Sequence, residues 1–146
     1  MISARVGRKK ISTGQPEVQQ SQPVDDPPWL TAVRAAESKK ATDVRVLDLR
    51  EVTSFADYFV ICTGANGRQL QAISNEVGLK LKQRGEVPSN LEGYSNAEWI
   101  LADYGDYLIH IFSEKARAFY DLVRLWRQAK EVTVPPPETR DSILNT

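Results

Sequence analysis

The clearest pattern of hydrophobic and polar positions lies between residues 98 and 112. Two apolar-rich arms flank a Tyr-Gly dipeptide that is bracketed by aspartates, which predicts two strands joined by a tight β-hairpin. Alternate side chains share one face of a strand. The sets that share a face are Trp99, Leu101 and Asp103 on the first arm, and Leu108, His110 and Phe112 on the second. Because these faces carry an indole, an imidazole and a carboxylate, we expect part of the hairpin to contact another molecule.

Alternating patterns before the hairpin predict strands and helices in turn. Residues 44–49 and 58–63 are predicted strands, and the second is apolar on both faces, which is typical of a central strand. The turn Gly64-Ala65-Asn66-Gly67 then leads into a helix. That helix has one apolar stripe, formed by Leu70, Ile73, Val77 and Leu81. A short edge strand is predicted near Leu91.

Two further helices are predicted near the ends of the folded region. Asp26 can cap the first, with proline in its first turn and an apolar side formed by Leu30, Val33 and Ala36. Ser113 can cap the last. The last helix has an apolar face formed by Phe119, Leu122, Val123 and Trp126. Helices and strands in this order predict an α/β fold, a mixed sheet flanked by helices in a single domain over residues 29–130. Residues 1–28 are predicted to be a disordered arm, and residues 131–146 a flexible tail.

Composition narrows the classes of function. The 146 residues include 19 basic and 19 acidic residues, so the chain lacks the excess positive charge of a protein that binds nucleic acid by charge alone. No stretch has the roughly 18 apolar residues of a membrane span. The single Cys62 cannot form an intramolecular disulfide and is interpreted as a core side chain.

The sequence contains few residues arranged for catalysis. The turn at residues 63–68 lacks both the dinucleotide fingerprint and the phosphate-loop ending, which favours an ordinary helix start. The chain has no acid-x-acid triplet for magnesium, and the lone His110 is too little for a zinc site or a triad. We therefore predict no catalytic residue, no metal and no cofactor. His110 is expected to make a contact at a surface.

The hairpin offers candidates for partner binding, each with an alternative. Asp103 and Asp106 straddle the turn and either satisfy local backbone amides or face a basic partner. Trp99 stands beside polar groups, which is the profile of an interface anchor, although ordinary sheet packing is the alternative. Trp126 continues a helical apolar stripe and is interpreted as core.

Several short segments in one order resemble the ribosomal silencing factor family, also called Iojap-like. The resemblance spans about residues 30–126. The segments are residues 57–64, Arg68-Gln69, Glu92-Gly93, residues 99–106, His110-Ile111-Phe112, Phe119-Tyr120-Asp121-Leu122 and Arg124-Leu125-Trp126. This chain departs from the family pattern at Ala65-Asn66-Gly67, where small hydroxyl residues are usual, and at Val123, where an acid is common.

The resemblance implies a nucleotidyltransferase-like α/β domain with a mixed sheet of about five strands and no established enzymatic activity. It implies binding to the large ribosomal subunit through its protein number fourteen, at the face that meets the small subunit, so that subunit joining is blocked. Homodimers are also known in the family. The matching positions for partner binding are Trp99, Asp103, Tyr104, Gly105, Asp106 and His110.

These observations together predict a translational repressor that acts by steric exclusion. The alternatives are an assembly factor for the large subunit that uses the same surface, and a nucleotidyltransferase-like enzyme that uses the turn at residues 64–68. We expect a cytoplasmic protein without membrane attachment or sequence-specific nucleic-acid binding. Organelle targeting by residues 1–28, where four basic residues precede the first acid, is the alternative location.

Overall fold

The structure, a computed structural model, describes residues 26–136 as one α/β domain. The predicted arm up to residue 25, with its alternative targeting role, and the tail beyond residue 136 lie outside the described residues. The helices are α1 (Pro28–Ser38), α2 (Gly67–Gln83), α3 (Glu114–Tyr120) and α4 (Leu122–Leu125). The strands are β1 (Thr42–Asp48), β2 (Tyr58–Gly64), β3 (Asn90–Glu92), β4 (Trp99–Asp103), β5 (Tyr107–Ser113) and β6 (Lys130–Val132).

The six strands form one mixed sheet in the order β3-β4-β5-β2-β1-β6. Strands β2 and β5 lie parallel at its centre, in register from Tyr58 opposite Tyr107 to Gly64 opposite Ser113. The neighbouring pairs, including the β4–β5 hairpin, are antiparallel. The predicted mixed sheet, the central position of β2 and the hairpin are therefore confirmed.

Helices α1 and α2 cover one face of the sheet and enclose the larger core. The predicted stripes on both helices are buried there, and they pack against Val60, Cys62, Ile109 and Ile111 from the central strands. Burial raises the pKa of the Cys62 thiol to about 12, so this side chain is an inert core residue, as predicted. We call this face the helix-covered face.

The opposite face, which we call the outer face, has a smaller core beneath α3 and α4. Its central members are Phe59 and Ile61 from β2, and Leu108 and Phe112 from β5. The two predicted sets of hairpin residues, on β4 and β5, both lie on this side. Because the two helices are short, they leave the edge of this face near β4 uncovered.

Three local expectations differ from the structure. Asp26 does not cap α1, whose N-cap is Pro27 with no side-chain hydrogen bond. The last helix is not continuous, because Asp121 adopts a left-handed conformation (φ 46°, ψ 57°) and separates α3 from α4. The predicted tail boundary at residue 131 falls inside β6, which pairs with β1 and adds a sixth strand to the sheet.

The helix break rotates Phe119 out of the predicted apolar face. Phe119 is 78% exposed, whereas Leu122 is buried and both Val123 and Trp126 are partly buried. A regular helix would have kept Phe119 on the same side as Leu122. The chain instead turns at Asp121, and the prediction that Phe119 shares one apolar face with Leu122, Val123 and Trp126 is wrong.

Candidate partner-binding surface

The hairpin turn is closed by backbone contacts and one aspartate. Gly105 has a φ of 91°, a left-handed conformation that favours glycine, and its amide donates to Asp103 Oδ1 at 2.8 Å. The amide of Tyr104 donates to the carbonyl of Tyr107 at 3.0 Å. Asp103 therefore does satisfy a turn amide. It also lies partly exposed at the end of β4, next to the edge strand β3.

Two of the predicted contact residues face the protein interior. The Tyr104 ring is 6% exposed and stacks on Tyr107, with ring centroids 5.1 Å apart. Burial raises the pKa of the Tyr104 hydroxyl to about 12. The hydroxyl of its neighbour Tyr107 donates to Glu86 Oε1 at 2.6 Å. Gly105 is also buried, whereas Asp106 is exposed at the tip of the turn. Of these turn residues, the structure leaves Asp106 and part of Asp103 accessible to a partner.

His110 lies behind the surface and not on it. Its ring is 4% exposed and packs against Phe59, with centroids 4.4 Å apart. Burial lowers the pKa of His110 to about 3, so the imidazole is uncharged at neutral pH. The expectation of a direct surface contact by His110 is wrong, because neighbouring aromatic rings cover it.

Trp99 joins the buried imidazole to the surface. Its indole nitrogen donates to His110 Nδ1 at 3.1 Å, and its ring lies 4.9 Å from that of Phe112. Because the indole nitrogen can only donate, Nδ1 must be the acceptor and the imidazole proton must lie on Nε2. Within residues 26–136, His110 Nε2 is buried with no hydrogen-bond partner, an arrangement that costs about 1–3 kcal/mol.

The surface beside Trp99 contains aromatic residues that the hairpin pattern did not indicate. Tyr120 is 46% exposed, and its ring centroid lies 4.6 Å from that of Trp99. The ring centroid of Phe119 lies 4.9 Å from that of Tyr120. Leu101, two residues after Trp99 on the same face of β4, is partly exposed. We call Trp99, Leu101, Asp103, Phe119 and Tyr120 the aromatic–acidic surface. The sequence did contain a signal for this exposure, because two adjacent aromatic residues on one helix cannot both face the core.

Charge is distributed unevenly along the sequence. Residues 85–114 contain no lysine or arginine, and their acidic residues are Glu86, Glu92, Glu98, Asp103, Asp106 and Glu114. That segment carries six negative charges, and because the whole chain has a formal net charge of zero, the rest has a net charge of +6 (0 − (−6) = +6). Glu92 lies opposite Leu101 in the β3–β4 pair and therefore on the outer face. The β3–β4 edge of the sheet is acidic.

Gly93 holds the β3–β4 connection close to Trp99. It has a φ of 80°, and a Cβ atom there would overlap the carbonyl oxygen of Trp99. Because the chain passes this close to Trp99, β3 can pair with β4 directly from Glu92, which lies opposite Leu101. Glycine at this position thus fixes the acidic strand beside the exposed aromatic residues.

The rival site at the start of α2 is occupied by its own side chains. Asn66 Oδ1 accepts from the Gln69 amide at 2.9 Å, and Gln69 Oε1 accepts from the Ala65 amide at 2.6 Å. This pattern is that of a capped helix, as the sequence predicted. Among residues 26–136, no cluster of three or more His, Cys, Asp or Glu side chains is placed to hold a metal ion. No helix within the same residues is long and apolar enough to cross a membrane.

The fold and this surface define a class of protein. A single mixed α/β domain with an exposed aromatic and acidic edge is typical of a domain that contacts another macromolecule. Comparisons with known proteins identify the family. The sequence model described as "Ribosomal silencing factor during starvation" matches residues 25–145.

Individual relatives agree with that match. Ribosomal silencing factor RsfS of Halalkalibacterium halodurans is 40% identical over 101 residues, which cover 69% of this chain and 86% of that protein. "Protein Iojap, chloroplastic" of Zea mays is 35% identical over 107 residues, which cover 73% of this chain and 46% of that protein. The crystal structure of protein CV0518 from Chromobacterium violaceum superposes with a TM-score of 0.67 and 33% identity, covering 75% of this chain and 94% of that one. This chain belongs to the ribosomal silencing factor family, which implies a role in ribosome silencing during starvation.

Proposed function

We propose that this protein represses translation by binding the large ribosomal subunit through the aromatic–acidic surface and blocking its joining to the small subunit. The partner on the subunit is its protein number fourteen, at the face where the two subunits meet. Repression of this kind requires no reaction, because a bound domain excludes the incoming subunit by its volume. We place the protein in the cytoplasm, where subunits join.

The observation that carries the proposal is the exposed aromatic group beside an acidic edge. Trp99, Phe119 and Tyr120 form a connected row of rings on the outer face, in which Phe119 is largely exposed and Tyr120 about half exposed. Tryptophan and tyrosine are enriched among the residues that contribute most to protein–protein binding. A typical specific interface buries about 800 Å² per partner, and the aromatic–acidic surface is the part of it that we assign to this protein.

The charge of the surface favours a protein partner over RNA. Glu92 and Asp103 at the β3–β4 edge, with Asp106 at the hairpin tip, repel phosphate groups, while they attract lysine and arginine side chains. An acidic edge therefore favours a basic protein surface over an RNA surface. Asp103 and Asp106 are the carboxylates of the hairpin that we assign to this pairing.

The proposal is tested by measuring binding to purified large subunits. Trp99→Ala is expected to weaken binding by at least about 2 kcal/mol, or roughly 30-fold, because it removes the anchor at the centre of the surface. Tyr120→Ala is a second variant with less risk to the fold, since Tyr120 is about half exposed. The matched control is Leu79→Ala, which removes an equally exposed apolar side chain from α2. Sedimentation with each subunit gives the affinities, and circular dichroism verifies folding.

A second measurement addresses the mechanism. The parent protein, added in excess to separated subunits, should lower the fraction of joined ribosomes in a gradient and migrate with the large subunit. If folded Trp99→Ala and Tyr120→Ala proteins sediment with large subunits as tightly as the parent does, the surface is misassigned. If the parent binds but joined ribosomes form normally, steric exclusion is wrong.

A further inference from the structure

The Trp99–His110 hydrogen bond spans the hairpin diagonally. In the β4–β5 register His110 lies opposite Leu101, and Trp99 lies opposite Phe112. The indole therefore reaches across to the side chain two residues away on the neighbouring strand, a distance that long aromatic side chains can span. The resulting 3.1 Å contact connects a partly exposed ring to a buried one.

The imidazole is held by rings and cannot turn toward water. The Phe59 ring packs edge-on against it, and the Phe112 ring lies parallel to it at 6.1 Å between centroids. With His110 fixed in this way, its Nδ1 lone pair has one direction, and it points to the indole of Trp99. The orientation of the indole is thus set from inside the protein.

Packing alone does not account for a histidine at this position. An apolar ring would fill the space between Phe59 and Phe112 without burying an imidazole nitrogen that has no hydrogen-bond partner in the described part of the chain. What histidine adds is an acceptor for the indole N–H. With that group bonded inward, Trp99 offers a partner its hydrocarbon edge and no hydrogen-bond donor.

We infer that His110 is a positioning residue, which rests on the proposed function and refines it: its Nδ1 fixes the Trp99 indole so that the docking surface presents an apolar anchor. The partner chemistry that fits is an apolar cleft flanked by basic side chains. His110 itself touches no partner atom. Its contribution to binding passes through Trp99.

The test uses two substitutions that separate the acceptor from the ring. His110→Phe keeps an aromatic ring but removes the acceptor, whereas His110→Asn places an amide oxygen near the position of Nδ1. In the full chain, ¹H–¹⁵N spectra resolve the indole N–H signals of Trp29, Trp99 and Trp126, with Trp99→Phe assigning its own. His110→Phe should speed hydrogen exchange of the Trp99 indole at least about tenfold, while the other two indoles act as internal controls.

Binding to large subunits is measured for the same variants. His110→Phe should weaken binding about tenfold, and His110→Asn should restore most of the affinity and of the slow exchange. In a Trp99→Phe background, which lacks the N–H, the substitution His110→Phe should have no further effect on binding.

Three outcomes would overturn the inference: unchanged indole exchange in His110→Phe, equal loss of affinity in His110→Phe and His110→Asn, or additive effects with Trp99→Phe. If His110→Phe does not fold, Trp99→Phe decides the question, since parental affinity in that variant contradicts a role for the N–H contact. Failure of the proposed function itself is distinguishable, because Trp99→Ala and Tyr120→Ala would then both bind as the parent does.

Discussion

His110 is a basic group that the fold keeps uncharged. Burial among aromatic rings lowers its pKa to about 3, from a value near 6.5 in an unfolded chain. When folding lowers the pKa of a histidine, its contribution to the free energy of unfolding is fully present at pH values above the pKa of the unfolded chain. That stability is lost as the pH falls from about 6.5 toward 3, because the unfolded chain then takes up a proton that the folded protein cannot accommodate.

The resulting prediction concerns stability in mild acid. Between pH 7 and pH 5 the free energy of unfolding should fall by about 2 kcal/mol, at up to about 1.4 kcal/mol per pH unit below 6.5. Chemical denaturation at several pH values measures this change. The window lies above the range in which Asp48 titrates, since its hydrogen bond with Arg50 lowers the pKa of that carboxyl.

The control for this prediction is His110→Phe, which removes the titrating group and keeps an aromatic ring. Its stability should be nearly independent of pH between 7 and 5. A parental protein with the same flat profile would contradict a buried, neutral imidazole at this position.

The break between α3 and α4 decides which aromatic residues reach the surface. Asp121 is left-handed, its amide donates to the Arg117 carbonyl, and its own carbonyl accepts from Arg124 and Leu125. This turn ends α3 so that Phe119 and Tyr120 face outward while Leu122 reaches the core. Aspartate tolerates the left-handed region better than most residues that carry a Cβ atom.

Substitution at Asp121 should therefore depend on backbone conformation more than on charge. Asp121→Ala is expected to lower the free energy of unfolding by about 1 kcal/mol, because alanine disfavours the left-handed region. Asp121→Gly removes the same carboxylate but has no such penalty. Thermal denaturation of the pair measures the difference. Equal destabilisation by both substitutions would show that the carboxylate, and not the turn, is what matters.

The whole molecule has opposite charges on different parts. All the Asp, Glu, Lys and Arg residues of segment 85–114 are acidic, so the rest of the chain has a net positive charge of the same size. Such separation orients a protein as it approaches a charged partner and raises the rate of association at low salt. Salt screens this effect over a distance of about 10 Å at 0.1 M.

Association with large subunits should consequently slow as salt is added. Between about 50 and 500 mM salt the association rate constant is expected to fall at least about fivefold. The variant Glu92→Gln/Glu98→Gln, which neutralises two exposed acids beside the aromatic–acidic surface, should depend less on salt. Glu51→Gln, at the opposite end of the sheet, is the control. Stopped-flow measurements that give the parent and the double variant the same salt dependence would rule out steering by this edge.

Much of the secondary structure follows from local pattern. Period-two alternation fixed the faces of the hairpin, and helical spacing fixed the buried stripes of α1 and α2, because side-chain direction repeats with the backbone. Ser113 caps α3 as its position before that helix suggests. The family resemblance added the expectation of a ribosomal role, which composition and spacing alone did not contain.

Other features depend on contacts between distant parts of the chain. Strand β6 is only three residues long, and its Lys-Glu-Val sequence gives no strand signal, so its pairing with β1 depends on the edge that β1 offers. The parallel pairing of β2 with β5 likewise joins segments separated by α2 and two strands.

The candidate surface also has some features that follow from the sequence and others that depend on tertiary contacts. The sequence determined that Trp99, Leu101 and Asp103 share a face, because alternation is a property of each strand. Only the tertiary structure decided that His110 is covered and that Phe119 and Tyr120 are not, since coverage depends on where α3 and α4 end and on what they pack against. A local sequence pattern indicates which side chains lie on the same face of an element. Which of them are shielded from solvent is set by the packing of elements far apart in the chain.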